Sequence, residues 1–145
     1  MEYSYIMMCD DLYKISHSIR ASNFKPHRVV GISRGGLIPG VCLSHTFGCP
    51  FIPLQWATRD GEFKDKQKLN EIIEPDLPTL FVDDICDTGL TLREIEEEIG
   101  FSRDHNTRFT TLIYNITQQD FIVDFYGRLI DRDKTNEWVN FWWEK

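Results

Sequence analysis

Two adjacent carboxylates, Asp83 and Asp84, follow an apolar run from Thr79 to Val82, and Asp87-Thr88-Gly89-Leu90-Thr91 comes directly after them. An apolar strand of this kind delivers its last side chains to the C-terminal edge of a sheet, where open α/β sheets bind ligands. Gly89 permits a tight turn between the Thr88 and Thr91 hydroxyls, and a helical pattern opens at once. Free N–H groups at a helix N-terminus, with the macrodipole behind them, form a cradle for phosphate. Paired acids suit a polyol or a metal instead. One short segment therefore offers acceptors for sugar hydroxyls beside donors for a phosphate, the chemistry of a ribose 5-phosphate.

A second anion loop stands one strand–helix unit earlier, at Ser33-Arg34-Gly35-Gly36. Gly35 and Gly36 let the backbone approach an anion closely, and Arg34 brings charge. Alone such a turn says little; ahead of the first segment it gains weight. The tail carries Trp138, Phe141, Trp142 and Trp143. These aromatics either cover a flat ligand or pack on the core or a subunit interface.

The elements that position these residues alternate. Asp10 to Ala21 has helical spacing in Leu12, Ile15, Ser16 and Ile19, with Asp10 as the expected N-cap. Arg28 to Ile32 reads as a buried strand, Leu37 to Phe47 as a helix with Pro39 in its first turn, and Gly48 is placed to end it. Phe51–Gln55 and Thr79–Val82 read as strands, Asp83–Gly89 as a loop, and Leu92, Ile95, Glu96 and Ile99 mark a helix. Phe109–Tyr114 and Phe121–Tyr126 read as strands. The polar stretch Arg59–Asn70 shows little periodicity, and loops of that length are commonly lids or disordered segments. This order predicts an α/β fold with a mainly parallel sheet.

The 145 residues, 41% apolar, suit one core and a single domain spanning 1–145. No apolar run is long enough to span a membrane, and the start lacks the basic and apolar regions of a signal peptide. A cytoplasmic location follows as the expectation. Cys9, Cys42, Cys49 and Cys86 form no C-x-x-C pair and read as reduced thiols, while the scattered histidines exclude common zinc patterns. The formal charge of −7, from 23 acidic and 16 basic residues, argues against nucleic acid as a partner. It leaves room for an anionic small substrate held by local donors.

Val82-Asp83-Asp84-Ile85-Cys86-Asp87-Thr88-Gly89-Leu90-Thr91 resembles the signature of type I phosphoribosyltransferases that binds 5-phosphoribosyl-1-pyrophosphate (PRPP). Val30 to Gly40 resembles the pyrophosphate loop of the xanthine-guanine and hypoxanthine branch, and Glu137 to Glu144 resembles its C-terminal hood. The resemblance implies the type I phosphoribosyltransferase fold, with a lid at about 57–70 and a hood at about 128–145. It implies Mg²⁺ as cofactor, PRPP and a nucleobase as substrates, and a homo-oligomer, dimer or tetramer.

Carried over residue by residue, Asp83 and Asp84 lie by the ribose and the metal, Asp84 directly or through water. Asp87 is the acid/base at the incoming ring nitrogen. Asp87, Thr88, Gly89, Leu90 and Thr91 hold the 5′-phosphate, and Ser33, Arg34, Gly35 and Gly36 hold pyrophosphate. Trp138 covers the base, Val139 reads it through its backbone, and Glu144 joins the metal set. The Ser33–Arg34 peptide is a candidate for a cis bond, which related loops adopt. Two positions depart from the pattern. The family's oxopurine-reading lysine corresponds to Asn115, placed to bind the base as a neutral group. Its usual Asp in the hood corresponds to Glu144.

The implied activity is transfer of a phosphoribosyl group from PRPP to a purine, a 6-oxopurine before adenine. Two other readings stand beside it. One is a regulatory module of the same fold that senses nucleotides, against which the acidic balance and the absence of a basic domain speak. The other is an enzyme acting on a pyrimidine or another amine.

Overall fold

The strands alternate their side chains between two apolar layers, and this fixes the architecture. In the computed structural model, residues 1–58, 63–100, 106–118 and 120–145 are described. In chain order the elements are β1 (Glu2–Tyr3), α1 (Tyr5–Ala21), β2 (Arg28–Ser33), α2 (Leu37–Phe47) and β3 (Phe51–Gln55), then α3 (Lys66–Ile73), β4 (Thr79–Cys86), α4 (Leu90–Ile99) and β5 (Thr107–Asn115). After these come β6 (Phe125–Ile130), β7 (Asn140–Phe141) and a 3₁₀ turn at Trp142–Glu144.

Five strands form one parallel sheet in the order β3-β2-β4-β5-β6. On β4, Leu80 and Val82 join the layer under α1 and α2, and Phe81 joins the layer under α3 and α4. Burial on both faces explains why these strands are continuously apolar instead of alternating. Phe81 stacks on Phe109 of the neighbouring strand with ring centroids 5.2 Å apart.

Connections leave β2 toward one edge and β4 toward the other, so the loops after these two adjacent strands diverge. Such a switch point opens a crevice at the carboxyl ends of the strands. The Ser33–Gly36 and Asp87–Thr91 segments lie on its two sides. Among the described residues, no helix is long and apolar enough to cross a membrane.

Several boundaries differ from the sequence expectation. Helix α1 begins at Tyr5, capped by the Ser4 hydroxyl, which accepts from the Met7 N–H at 3.2 Å. Asp10 therefore sits inside the helix. The buried carboxylate beside it, Asp11, accepts from Tyr3 Oη at 2.6 Å and from Arg128 Nε and Nη2 at 2.7 and 3.1 Å.

Strand β4 continues through Asp83 and Asp84 to Cys86, because both carboxylates still pair in register with β5 or flank residues that do. The last sheet strand is Phe125–Ile130 and not Phe121–Tyr126; Phe121 and Val123 instead fill the core from a loop. The expected hood start at 128 therefore falls within this strand.

The stretch expected as a lid at 57–70 is shorter. Asp65 caps α3 by accepting from the Lys68 N–H at 3.0 Å, and Leu69 and Ile72 pack α3 into the core. Lys64 and Lys66 pair with Glu94 and Glu98 of α4, fixing this helix to its neighbour. Residues 59–62 lie outside the described residues.

Candidate functional site

A crevice of about 510 Å³ lies at the switch point, lined by Arg34, Gly35, Asp83, Asp84, the Asp87–Thr91 turn and Trp138, Val139 and Glu144 of the tail. Three chain segments that are distant in sequence thus meet around one space.

Its floor is the end of β4. Asp83 Oδ1 accepts from the Asp84 N–H at 2.9 Å, and Asp84 Oδ1 from the Ile85 N–H at 2.8 Å. No Lys or Arg pairs with either carboxylate among the described residues. Burial, with the Asp84 charge beside it, raises the Asp83 carboxyl well above the usual range. Burial likewise pushes Asp84 up to about 6; the backbone and side-chain hydrogen bonds oppose this, and Glu144 adds to it. Two half-buried carboxylates lining a crevice without a cation are a site that favours one arriving.

The donor set suits Mg²⁺, a hard cation that binds oxygen ligands. No group of three protein ligands is assembled among the described residues. Magnesium commonly takes one or two carboxylates and completes its shell with water and substrate phosphates. Asp83 and Asp84 would supply the protein's share. Glu144 lines the same crevice, with Oε2 accepting from the Phe141 N–H at 3.2 Å.

The glycines set how near the two loops come. A Cβ on Gly35 would fall 2.1 Å from Asp84 Oδ2, and one on Gly36 would fall 2.1 Å from the Val82 carbonyl. Only glycine fits against the carboxylate here. The Ser33–Arg34 peptide is cis, as the sequence reading expected. Arg34 is exposed at the crevice wall, with no acidic partner among the described residues.

On the other side Gly89, at φ 84°, turns the chain into α4. Thr88 Oγ1 accepts from the Leu90 N–H at 3.3 Å, and Thr91 Oγ1 lies 3.1 Å from Thr58 Oγ1. Leu90 apart, the opening N–H groups of α4 have no helical acceptor, and they can donate to an anion.

Trp138 stands over the mouth, 61% exposed, while Val139 is buried behind it. The tail is held by β7, which pairs in parallel with β1, and by Tyr3, whose ring meets Phe141 edge-on at 5.1 Å. The hood aromatics thus differ in exposure: Phe141 is buried against Tyr3, whereas Trp138 stands exposed at the site.

Asn115, at the end of β5, is buried, and its side chain is fully engaged. Its Nδ2 donates to the Asp87 carbonyl at 2.9 Å, and its Oδ1 accepts from the Thr117 N–H and hydroxyl at 3.1 and 2.8 Å. It lines a second, adjoining cavity of about 520 Å³.

Sequence reasoning missed Arg132. Its guanidinium meets the Asp87 carboxylate side-on and lines both cavities. Nothing in Asp131-Arg132-Asp133-Lys134 distinguishes it from a solvated charge run; only the folded chain brings it to Asp87.

A comparison with curated protein sequences finds no match. Solved structures match along the whole chain. A purine phosphoribosyltransferase from Pyrococcus horikoshii Ot3 is 25% identical, with 100% of this chain and 93% of that one covered and a TM-score of 0.76. A xanthine-guanine-hypoxanthine phosphoribosyltransferase from Helicobacter pylori is 18% identical over 99% and 92%, with a TM-score of 0.68. An APRTase from Giardia lamblia, complexed with 9-deazaadenine, is 21% identical over 74% and 66%, with a TM-score of 0.53. Enzymes with different bases in their names share this architecture, so the fold does not choose the base. The five-stranded parallel sheet flanked by helices is that of type I phosphoribosyltransferases. The phosphoribosyl transferase domain profile matches residues 7–141, and the chain belongs to that family.

Proposed function

We propose that the protein transfers the 5-phosphoribosyl group of PRPP to a purine, a 6-oxopurine before adenine, releasing pyrophosphate in a salvage reaction that depends on Mg²⁺. The observation that carries this is the unpaired Asp83–Asp84 floor set between two anion loops, with a flat aromatic above. That arrangement offers separate places for the ribose, the two phosphate groups and a planar base.

The ribose diol lies against Asp83 and Asp84, and the Asp87–Thr91 turn with the start of α4 takes the 5′-phosphate. The Gly35–Gly36 backbone and Arg34 take the pyrophosphate. In the reaction the bond from the anomeric carbon to the pyrophosphate oxygen breaks, and pyrophosphate leaves with the electron pair. A ring nitrogen of the base forms the new bond, and the proton of the base passes to Asp87 as general base. Positive charge develops on the ribose and negative charge on the leaving group. Arg34 and the loop N–H groups stand preorganised for the latter. Mg²⁺ bound to substrate oxygens would supply Lewis-acid polarisation of the departing pyrophosphate.

Trp138 gives the base a stacking face, an interaction worth about 1–3 kcal/mol and tolerant of base type. The acceptor is therefore selected at the base's edge and not by its area.

The test is a substrate panel with labelled PRPP and Mg²⁺, offering guanine, hypoxanthine, xanthine, adenine, uracil and orotate. Nucleotide formation with the 6-oxopurines above the others is expected. Turnover confined to a pyrimidine would exclude the purine reading. Specific PRPP or nucleotide binding without turnover would favour a sensing module.

A further inference from the structure

The two cavities share one edge, and Asp87, Thr88, Arg132 and Trp138 line both. Arg132 reaches that edge from the stretch after β6. Its Nε lies 2.9 Å from Asp87 Oδ1 and its Nη2 lies 3.1 Å from Oδ2. Its Nη1 donates to the carbonyl of Glu137, the residue before Trp138. The guanidinium thus spans from the acid/base candidate to the hood.

Donors and acceptors can be counted here. A guanidinium carries five N–H groups. Three have acceptors, so two remain without one among the described residues. On the carboxylate, Oδ1 is approached by Arg132 Nε and, at 3.5 Å, by Asn115 Nδ2, whereas Oδ2 is approached by Arg132 Nη2 alone. A carboxylate oxygen accepts about two hydrogen bonds. Asp87 Oδ2 keeps an acceptor site, and the Nη2 beside it keeps a donor. The pair presents acceptor and donor side by side at the edge of the space under Trp138.

Asn115 cannot supply that donor. Its Nδ2 faces the Asp87 carbonyl, and its Oδ1 is shared by Thr117 and the Arg132 backbone N–H.

Resting on the phosphoribosyltransferase reading, we propose that Arg132 determines base specificity: it donates to the 6-oxo oxygen while Asp87 Oδ2 accepts from the neighbouring ring N–H. A 6-oxopurine with its proton on N7 carries this donor and acceptor on one edge, and that proton is the one Asp87 takes while N9 forms the new bond. Adenine puts an amine where the oxygen would be and turns donor against donor. The cation that reads the oxo group comes from the stretch after β6, and not from the end of β5. Because the same guanidinium holds Asp87 and Glu137, closing on the right base also seats the hood and the proton acceptor.

The experiment compares the unaltered protein, R132Q and R132K, each with PRPP, Mg²⁺ and hypoxanthine, guanine or adenine. In R132Q, kcat/KM for the two 6-oxopurines should fall on the order of ten- to a hundred-fold, the scale of a charged hydrogen bond. Adenine use should fall too, because Asp87 loses its hold, but by a smaller factor, so the preference for 6-oxopurines over adenine should drop about tenfold. R132K should recover part of the preference. A purely structural arginine would lower all three bases by the same factor and leave their ratio unchanged, and that result overturns the inference. So does a 6-oxopurine preference that R132Q leaves intact, or a preference for adenine in the unaltered protein. If R132Q does not fold, R132K titrated with inosine and adenosine 5′-monophosphates reads the same discrimination, and an undiminished ratio overturns it. No nucleotide from any base with the unaltered protein removes the transferase reading itself, and this inference with it.

Discussion

Asp11 and the Asp83–Asp84 pair are carboxylates at two places in one fold, and they are furnished in opposite ways. Asp11 is fully buried and receives three donors: the Tyr3 hydroxyl and two nitrogens of Arg128, whose guanidinium also lies 5.4 Å from the centre of the Tyr3 ring. Among the described residues, Asp83 and Asp84 receive neighbouring backbone N–H groups and no cation, and their charges repel. Folding satisfies the first carboxylate and leaves the second pair in want of a partner. The first belongs to the frame, since it ties α1 to β6 and, through Tyr3, to the hood strand. The second belongs to the site.

Breaking the satisfied cluster should have the larger effect. Asp11→Ala leaves Arg128 and the Tyr3 hydroxyl without their acceptor in a packed interior. Removing one partner of a buried pair costs about 3–5 kcal/mol. Chemical denaturation should show that loss, while PRPP binding by the remaining folded fraction stays near normal. A loss of less than about 1 kcal/mol, the range of exposed pairs, would place Asp11 with surface charges.

Asp83→Asn should do the reverse. It relieves repulsion and desolvation, so stability holds or rises, while turnover falls on the order of a hundred-fold for want of charge at the reacting centre. KM for PRPP should rise with it. Asp87→Asn should instead lower kcat far more than PRPP affinity, because its contact is with the base and the transition state. Equal and small effects from both would erase the division of roles, and a large stability loss in Asp83→Asn would erase the contrast with Asp11.

That contrast was only half legible in the sequence. Asp83, Asp84 and the Asp87–Thr91 turn could be placed because their chemistry is local: strand, acids, glycine turn and helix start follow one another directly. The Ser33–Gly36 loop was legible for the same reason. The Asp11–Arg128 and Asp87–Arg132 pairs join residues far apart in the chain, and neither arginine has a neighbour that marks it. Helix α3 carried its signal in Leu69, Ile72 and Ile73, but the charges around them made the stretch read as loop. The end of β4 was cut short because carboxylates in a strand argue against burial, and here the strand carries them into the site. The Phe121–Val123 stretch looked like a strand by composition, yet it packs as core from a loop, since Gln118 closes it by accepting from the Phe121 N–H at 3.0 Å and donating to its carbonyl.

The smallest effect is also the one that isolates the unpaired acids from everything else. Asp84 sits at about 6 in the folded protein against an ordinary carboxylate value of 3.8, and Asp83 is raised in the same direction, chiefly by burial in both cases. A carboxyl with a raised folded pKa binds its proton more tightly in the folded chain than in the unfolded one. Stability then falls as pH rises, because the unfolded state sheds its proton first. The metal-free protein should therefore lose melting temperature between about pH 4 and pH 6. Asp84→Asn should reduce the slope, since the amide has nothing to ionise and Asp83 carries the remainder. Mg²⁺ with PRPP should raise the melting temperature more at pH 7 than at pH 5, because the ionised pair is the form that binds. Melting curves in chelator across that range, for the unaltered protein and Asp84→Asn, read the difference directly. A slope unchanged in Asp84→Asn would trace the trend to other carboxylates and remove the distinction between an acid that folding satisfies and one held open for a ligand.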